Sequence, residues 1–243
     1  MSDHNEFLNM TKNNVANQGA DEKFRVVTNK WIESSVENKY TYNFSWMGRP
    51  IIQYPQDILA LQEIIFKVQP EIIVETGIAR GGSLIFSASM LELIGKPAEV
   101  LGVDIDIRAH NREAILTHPM NKRIQLLQGS SVALDTIEEV KRRVGDKKAL
   151  VILDSNHTYE HVKLELELYS TLVKKESYLV VFDTVIDDLS DELSLDRPWG
   201  YKNGPKKAVE EFLAANGRFE IDKEIQDKLM ITAAPSGYLK CIK

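Results

Sequence analysis

Short apolar segments alternate with helical segments through most of this 243-residue chain. The apolar runs predicted to be strands are 71–77, 99–106, 123–131, 149–155 and 178–184. The segments predicted to be helices, from the spacing of their apolar residues, are 83–95, 108–117, 133–145, 159–173 and 205–217. Strands that alternate with helices form a parallel sheet covered on both faces, and right-handed crossovers make that sheet doubly wound. The pattern therefore predicts an α/β, Rossmann-like sheet that is mostly parallel.

The two ends of the chain carry weaker signals. Residues 1–25 are polar and rich in asparagine, which predicts a mobile or accessory segment. Residues 31–55 are aromatic, so they form either a cap or oligomer contact or a loop packed on the core. We therefore divide the chain into an N-terminal extension or cap, 1–55, and a main domain, 56–243, whose first helix is interpreted as capped by Asp57. The tail is predicted to hold short strands in FEIDKEI, KLMIT and YLKCIK, with an antiparallel return at the turn APSG.

Composition excludes several classes of partner. The formal net charge is −6 and the pI is about 5.5, which argues against nucleic acid or an anionic membrane as the main partner. The single cysteine, Cys241, allows no intrachain disulfide and no thiolate metal cluster. No apolar run approaches the roughly 20 residues that span a bilayer, and the N-terminus lacks the features of a signal peptide. We expect a cytoplasmic protein, and a homo-oligomer.

The first predicted strand leads into a glycine-rich turn, VETGIARGGS. Gly77 permits a positive φ, and Gly81 with Gly82 would let a ligand approach the backbone at the start of a helix. Glu75 precedes the first glycine, where an acid suits a ligand with an ammonium or sulfonium group and would repel a pyrophosphate. The predicted cofactor-binding residues here are Glu75, Gly77, Gly81 and Ser83. The alternative is a plain glycine-rich turn without a ligand.

The next two strand ends also carry polar side chains. Asp104 and Asp106 close the second strand, where an acid accepts hydrogen bonds from ribose hydroxyls in nucleoside-binding sheets. Asp104 is the first choice for this contact, although acids at strand ends are also common helix caps. Ser130 and Ser131 follow the third strand and are predicted either to reach a nucleobase or to cap the next helix.

The stretch VILDSNHTYEHV, residues 151–162, carries the strongest indication of chemistry. Asp154 ends a buried strand, and Asp183 ends the strand predicted to lie beside it. Two carboxylates at neighbouring strand ends are suited to Mg²⁺, which prefers oxygen ligands. His157, three residues after Asp154, would then be a general base for a substrate hydroxyl. In the alternative interpretation Asp154 only caps the following helix and His157 is a surface residue.

The chain resembles the cephalosporin hydroxylase family over about residues 40–243. The matching segments are WMGRPIIQYPQDI, VETGIARGGSL, LGVDIDIR, LQGSS, VILDSNHTYEHV, VVFDT, RPWG and FEIDKEIQDKLMITAAPSGYLK. Members of this family are largely S-adenosylmethionine-dependent O-methyltransferases. The resemblance implies a class I methyltransferase fold, S-adenosylmethionine and Mg²⁺ as cofactors, and a small hydroxylated acceptor, glycosyl in kind.

The resemblance also implies roles for individual residues. In related magnesium-dependent sugar methyltransferases an aspartate and a downstream acidic pair hold the metal, and a histidine three residues after that aspartate is the base. These roles fall on Asp154 and His157, whereas the acidic pair falls on Phe182 and Asp183, so that only its second member is acidic. Asp187, Asp188 or a water molecule would complete the ligand set.

Two other functions remain open at this level. A nicotinamide-dependent oxidoreductase would keep the fold, but Glu75 and the missing G-x-G-x-x-G motif oppose it. A catalytically silent binding subunit of a biosynthetic cluster is favoured by Phe182. The polar loop 186–204 is predicted to cover the acceptor through Arg197 and Trp199, with loop packing as the alternative role of Trp199.

Overall fold

A computed structural model describes residues 3–194 and 203–243, and within these ranges the main sheet has seven strands in the order β5-β4-β3-β6-β7-β9-β8. The strands are β1 (Phe44–Trp46), β2 (Arg49–Ile51), β3 (Ile72–Thr76), β4 (Glu99–Asp104), β5 (Ile124–Gln128), β6 (Ala149–Leu153), β7 (Tyr178–Val181), β8 (Phe219–Ile221) and β9 (Tyr238–Cys241). The helices are α1 (Asp3–Ala20), α2 (Glu22–Glu37), α3 (Pro55–Val68), α4 (Gly82–Ile94), α5 (Ala109–Leu116), α6 (Leu134–Val144), α7 (Tyr159–Tyr169), α8 (Asp191–Ser194), α9 (Pro205–Ala215) and α10 (Lys223–Leu229). Strands β1 and β2 pair separately as an antiparallel hairpin.

The sheet has the parallel core that the sequence pattern predicts. Strands β3 to β7 pair in parallel, while β9 runs antiparallel to both β7 and β8. Every residue of β3 and of β6 is buried, because helices cover both faces of the sheet. Helices α3 and α4 pack on one face, and α6, α7 and α9 pack on the other. The predicted Rossmann-like architecture is confirmed.

The order of the strands sets where a ligand can bind. Chain order reverses beside β3, since β4 lies on one side of it and β6 on the other. The loops that leave β3 and β6 therefore diverge and open a crevice at the carboxyl edge of the sheet. Asp104 is the last residue of β4, while Asp154 and Asp183 follow β6 and β7, so all three lie at this edge.

The N-terminal segment, predicted to be mobile or accessory, is helical. Asp21 caps α2 by accepting hydrogen bonds from the amides of Lys23 and Phe24. Helix α1 packs on α10 at the other end of the chain, and Val15 is one of its buried residues. The apolar residues of α1 show only weak helical spacing, because most of the helix surface faces solvent. Tertiary packing, rather than a local sequence pattern, therefore accounts for the helix.

The C-terminal segment also differs from the prediction. The stretch 228–232, KLMIT, was expected to be a strand, but α10 ends within it and a turn follows. Asp222 caps α10 by accepting a hydrogen bond from the amide of Ile225, and this cap is a stronger local signal than the alternating pattern.

The predicted capping role of Asp57 is wrong: its buried carboxylate accepts hydrogen bonds from Thr232, Ala233 and Tyr238. It thereby holds the returning tail against the start of α3.

Within residues 3–194 and 203–243, none of the helices combines the length and the apolar character that crossing a membrane requires.

Candidate active site

Asp154, His157 and Asp183 converge at the carboxyl edge of the sheet. One ligand atom of each lies within 4.8 Å of the others. Nε2 of His157 is 3.1 Å from Oδ2 of Asp183. Asp154 directly follows β6 and donates its backbone amide to the carbonyl of Thr76, at 2.9 Å, so it stays in line with the sheet. The structure thus brings together the three residues that the sequence pattern grouped.

The carboxylate of Asp154 lies where its charge is disfavoured. Burial raises the pKa of Asp154 well above its usual range, and the neighbouring charges of Asp183 and Glu75 raise it further. A pair of carboxylates is stabilised by a cation placed between its oxygens. Two carboxylates with a histidine at this spacing form a donor set that fits a divalent ion, with Mg²⁺ suited to the carboxylate oxygens.

The other positions considered for the ligand set make contacts of their own. Phe182 is 2% exposed and packs edge to face on Tyr238, so its position belongs to the core. Asp187 accepts hydrogen bonds from the amides of Gly204 and Lys206, both at 2.8 Å. Asp188 pairs with the ammonium of Lys206 at 2.6 Å. Both acids therefore contact the start of α9, and their place in the ligand set stays a prediction.

The glycines between β3 and α4 are required by packing within the protein. Gly77 has φ +80° and Gly81 has φ +82°. A Cβ on Gly77 would lie 2.0 Å from the carbonyl oxygen of Asp154, and one on Gly81 would lie 2.5 Å from Ile115. The positive φ predicted for Gly77 is confirmed, and close packing of the protein is a further reason for glycine at both positions; the approach of a ligand at Gly81 stays a prediction. Gly77 in particular lets the first loop pack directly against Asp154.

Glu75 is buried beneath this loop, and among the described residues only one of its two carboxylate oxygens accepts a hydrogen bond. The hydroxyl of Ser83 donates to Oε1 of Glu75. Oε2 is buried and has no hydrogen-bond partner among the described residues. Burial raises the pKa of this carboxyl to about 7. An acceptor of this kind suits a cationic group that binds from the crevice.

This burial predicts a pH-dependent stability that can be assigned to Glu75. Since its pKa rises from 4.5 to about 7 on folding, the folded state binds the proton more tightly than the unfolded state. The ligand-free protein should therefore lose stability as pH rises from 4.5 to about 7. Denaturant titrations of wild type and Glu75→Gln should diverge across this window, with the variant gaining up to about 3 kcal/mol relative to wild type. A constant difference at all pH values would contradict the assignment.

Asp104 lies where a ribose contact is predicted. Its Oδ2 accepts from the amide of Ile78 and its Oδ1 from the amide of Asp106, both at 2.9 Å. Each carboxylate oxygen keeps a second lone pair for a ligand hydroxyl. Asp106 is exposed and makes only a loose pair with Arg108, at 3.8 Å. The ribose contact, with Asp104 as first choice and Asp106 as second, stays a prediction.

Ser131 takes part in a buried network that the sequence pattern did not indicate. Its hydroxyl lies 3.0 Å from Nε2 of His161, which is also 3.1 Å from the hydroxyl of Ser155. Ser155 in turn donates to the fully buried Glu165. The network joins the loops after β5 and β6, and the i,i+4 spacing of His161 and Glu165 on one helix face was its only sequence signal. Neither Ser130 nor Ser131 caps α6, whose N-cap is Ala133; the predicted nucleobase contact stays a prediction.

The parallel sheet, its antiparallel C-terminal strands and the polar strand ends define a class I methyltransferase fold. The sequence profile described as Rhamnosyl O-methyltransferase/CmcI matches residues 38–242. The chain therefore belongs to the rhamnosyl O-methyltransferase/CmcI family, and the family resemblance inferred from the motifs is confirmed.

Individual proteins show the same relationship. Rhamnosyl O-methyltransferase of Mycobacterium leprae is 30% identical over 198 residues, which cover 80% of this chain and 82% of that protein. The enzyme of the same name from Mycobacterium bovis is 30% identical over 219 residues, 86% of this chain and 82% of that protein. A CmcI structure with Mg and SAM superposes with a TM-score of 0.59 at 19% identity, over 83% of this chain and 78% of that one. This structural likeness supports the fold.

Proposed function

We propose that the protein is an S-adenosylmethionine-dependent O-methyltransferase that uses a divalent ion, most simply Mg²⁺, to methylate a hydroxyl of a sugar. The observation that carries the proposal is the convergence of Asp154, His157 and Asp183 at the crevice. Family membership supports the class of reaction, because the curated relatives are named rhamnosyl O-methyltransferases. The glycosyl acceptor rests on those relatives and is the finer part of the proposal.

The residues at the β3 and β4 ends would hold the methyl donor. The unpartnered oxygen of Glu75 would receive the ammonium of its amino-acid part, and Asp104 would accept the ribose hydroxyls. Ser83 would orient Glu75 through the hydrogen bond that it already donates. Methyl transfer from a sulfonium is an in-line displacement, so fixing the donor at both ends serves alignment with the acceptor.

The residues at the β6 and β7 ends would activate the acceptor. When bound between Asp154 and Asp183, the ion would lower the pKa of the acceptor hydroxyl. His157 would take the proton of the acceptor hydroxyl, and its Nε2 lies 3.1 Å from a carboxylate oxygen of Asp183. That carboxylate would stabilise the imidazolium once it forms. In this proposal Asp154 and Asp183 would hold the metal, and His157 would be the base.

Calorimetry with S-adenosylhomocysteine, the demethylated donor, tests the donor site directly. Wild type should bind it, and Asp104→Ala should bind at least about 10-fold more weakly, since removal of a charged acceptor typically costs 1.5–3 kcal/mol. The exposed Asp188→Asn variant should bind like wild type. Equal affinity of Asp104→Ala would move the ribose contact, with Asp106 as the next candidate.

Turnover distinguishes the proposal from its alternatives. Mass spectrometry should show a gain of one methyl group on a rhamnosyl acceptor, dependent on the donor and a divalent ion. Binding of NAD in place of the demethylated donor would indicate an oxidoreductase. Donor binding without turnover on any sugar tested would indicate the silent subunit that Phe182 favours.

We further propose that the protein acts in the cytoplasm as a homo-oligomer, with residues 1–55 as an extension of the catalytic domain 56–243. The covering role of Arg197 and Trp199 falls outside the described residues.

A further inference from the structure

The loop between β3 and α4 has an unusual backbone. Gly77 and Gly81 have positive φ, and so does Ala79, at +43°. Glycine adopts this region freely, whereas a residue with a Cβ does so rarely. The conformation at Ala79 must therefore be held by contacts around the loop.

Two side chains from outside the loop donate hydrogen bonds to the carbonyl groups of Ala79 and of the residue after it, Arg80. Arg49 donates from Nε to the carbonyl oxygen of Arg80 at 3.1 Å, and from Nη2 to the same oxygen. The buried Asn111 donates from Nδ2 to the carbonyl oxygen of Ala79 at 3.0 Å. Arg49 also donates to Oδ1 of Asn111 at 3.2 Å, so the two side chains form a single bracket.

The hairpin that carries Arg49 is itself seated against the loop. A Cβ on Gly82 would lie 2.2 Å from the carbonyl oxygen of Pro50, so the hairpin and the start of α4 are in direct backbone contact. Trp46 anchors the hairpin further along α4, where its indole N–H donates to Ser89 at 3.2 Å and its ring packs on Phe86. Packing of the hairpin against the loop and α4 therefore fixes the position of Arg49.

We propose that Arg49 and Asn111 are positioning residues that hold the loop 77–82 in the conformation that binds the methyl donor. The β1–β2 hairpin is then part of the donor site, although it lies in the N-terminal extension. This inference rests on the proposed function, since it assigns the loop to the donor. In this proposal Arg49 contacts neither the donor nor the acceptor. It affects the affinity for the donor and not the chemical step.

Calorimetry with S-adenosylhomocysteine tests the bracket. Arg49→Ala should weaken binding on the order of 10- to 100-fold, because charge-assisted hydrogen bonds to the loop are lost. The kcat at saturating donor should stay within about 3-fold of wild type, because the metal cluster is unchanged. Arg142→Ala, which removes an exposed arginine paired with Glu139 on α6, is the matched control and should bind like wild type. Unchanged affinity in Arg49→Ala would overturn the inference.

A second substitution separates a bracket from a direct contact. Ala79→Gly removes the cost of positive φ, so the double variant Arg49→Ala/Ala79→Gly should recover most of the lost affinity. A double variant no better than Arg49→Ala would mean that Arg49 acts in another way, and the bracket would be rejected. Hydrogen exchange of the ligand-free protein is an independent readout: amides 78–82 should exchange faster in Arg49→Ala than in wild type. Wild type that fails to bind the demethylated donor would refute the proposed function, while faster exchange in the variant would still show the bracket.

Discussion

Asp154→Asn is expected to abolish the response to Mg²⁺ and to reduce methyl transfer by more than about 100-fold, since loss of outer partners of a metal site alone typically costs 10- to 100-fold. The amide keeps the volume of the carboxylate and one acceptor oxygen, but it removes the negative charge that the ion requires. Activity measured against Mg²⁺ concentration should show no saturation in the variant. Asp188→Asn, which alters an acid paired with Lys206 outside the cluster, should titrate like wild type.

The same substitution has an opposite effect on the metal-free protein. Burial and the charge of Asp183 raise the pKa of Asp154, so its ionised form destabilises the fold. A neutral isostere removes that penalty, and the metal-free variant should unfold at a higher temperature than metal-free wild type near pH 8. Loss of activity with gain of stability would mark Asp154 as a functional residue. Full activity of wild type in excess chelator would return Asp154 to an ordinary structural role.

The strand ends could be predicted because they depend on local pattern. A buried parallel strand is a nearly continuous apolar run, so the first polar residue after it marks the edge of the sheet. Asp104, Asp154 and Asp183 each follow such a run, and the structure places them at that edge. The motifs that surround them also sufficed to indicate the family, which the profile match confirms.

Features that depend on contacts distant in sequence could not be predicted in this way. The unpartnered oxygen of Glu75, the bracket of Arg49 and Asn111, and the network around His161 all join segments that are far apart in the chain. The positive φ of Gly77 was predicted correctly, but only the fold shows that the carbonyl of Asp154 occupies the space beside it. Helix α1 escaped prediction because its stability comes from packing on α10.

His157 offers the clearest test of the proposed chemistry. His157→Ala should lower kcat by roughly 10²- to 10⁴-fold, the usual contribution of a general base. Affinity for S-adenosylhomocysteine should not change, because the base serves the acceptor. The Mg²⁺ concentration for half-maximal activity should also stay close to that of wild type if the carboxylates hold the ion. A large shift in that concentration would instead make His157 a ligand.

The control for this substitution must be chosen from the structure. His161 lies one helical turn further on and looks equivalent in sequence, but it contacts Ser131, Ser155 and Glu165, so alanine there would disrupt buried polar groups. His4 is exposed on α1, and His4→Ala should turn over like wild type. If His157→Ala also turned over like wild type, the base assignment would be wrong. Asp183, 3.1 Å from the imidazole, would then be the remaining group placed to take the proton.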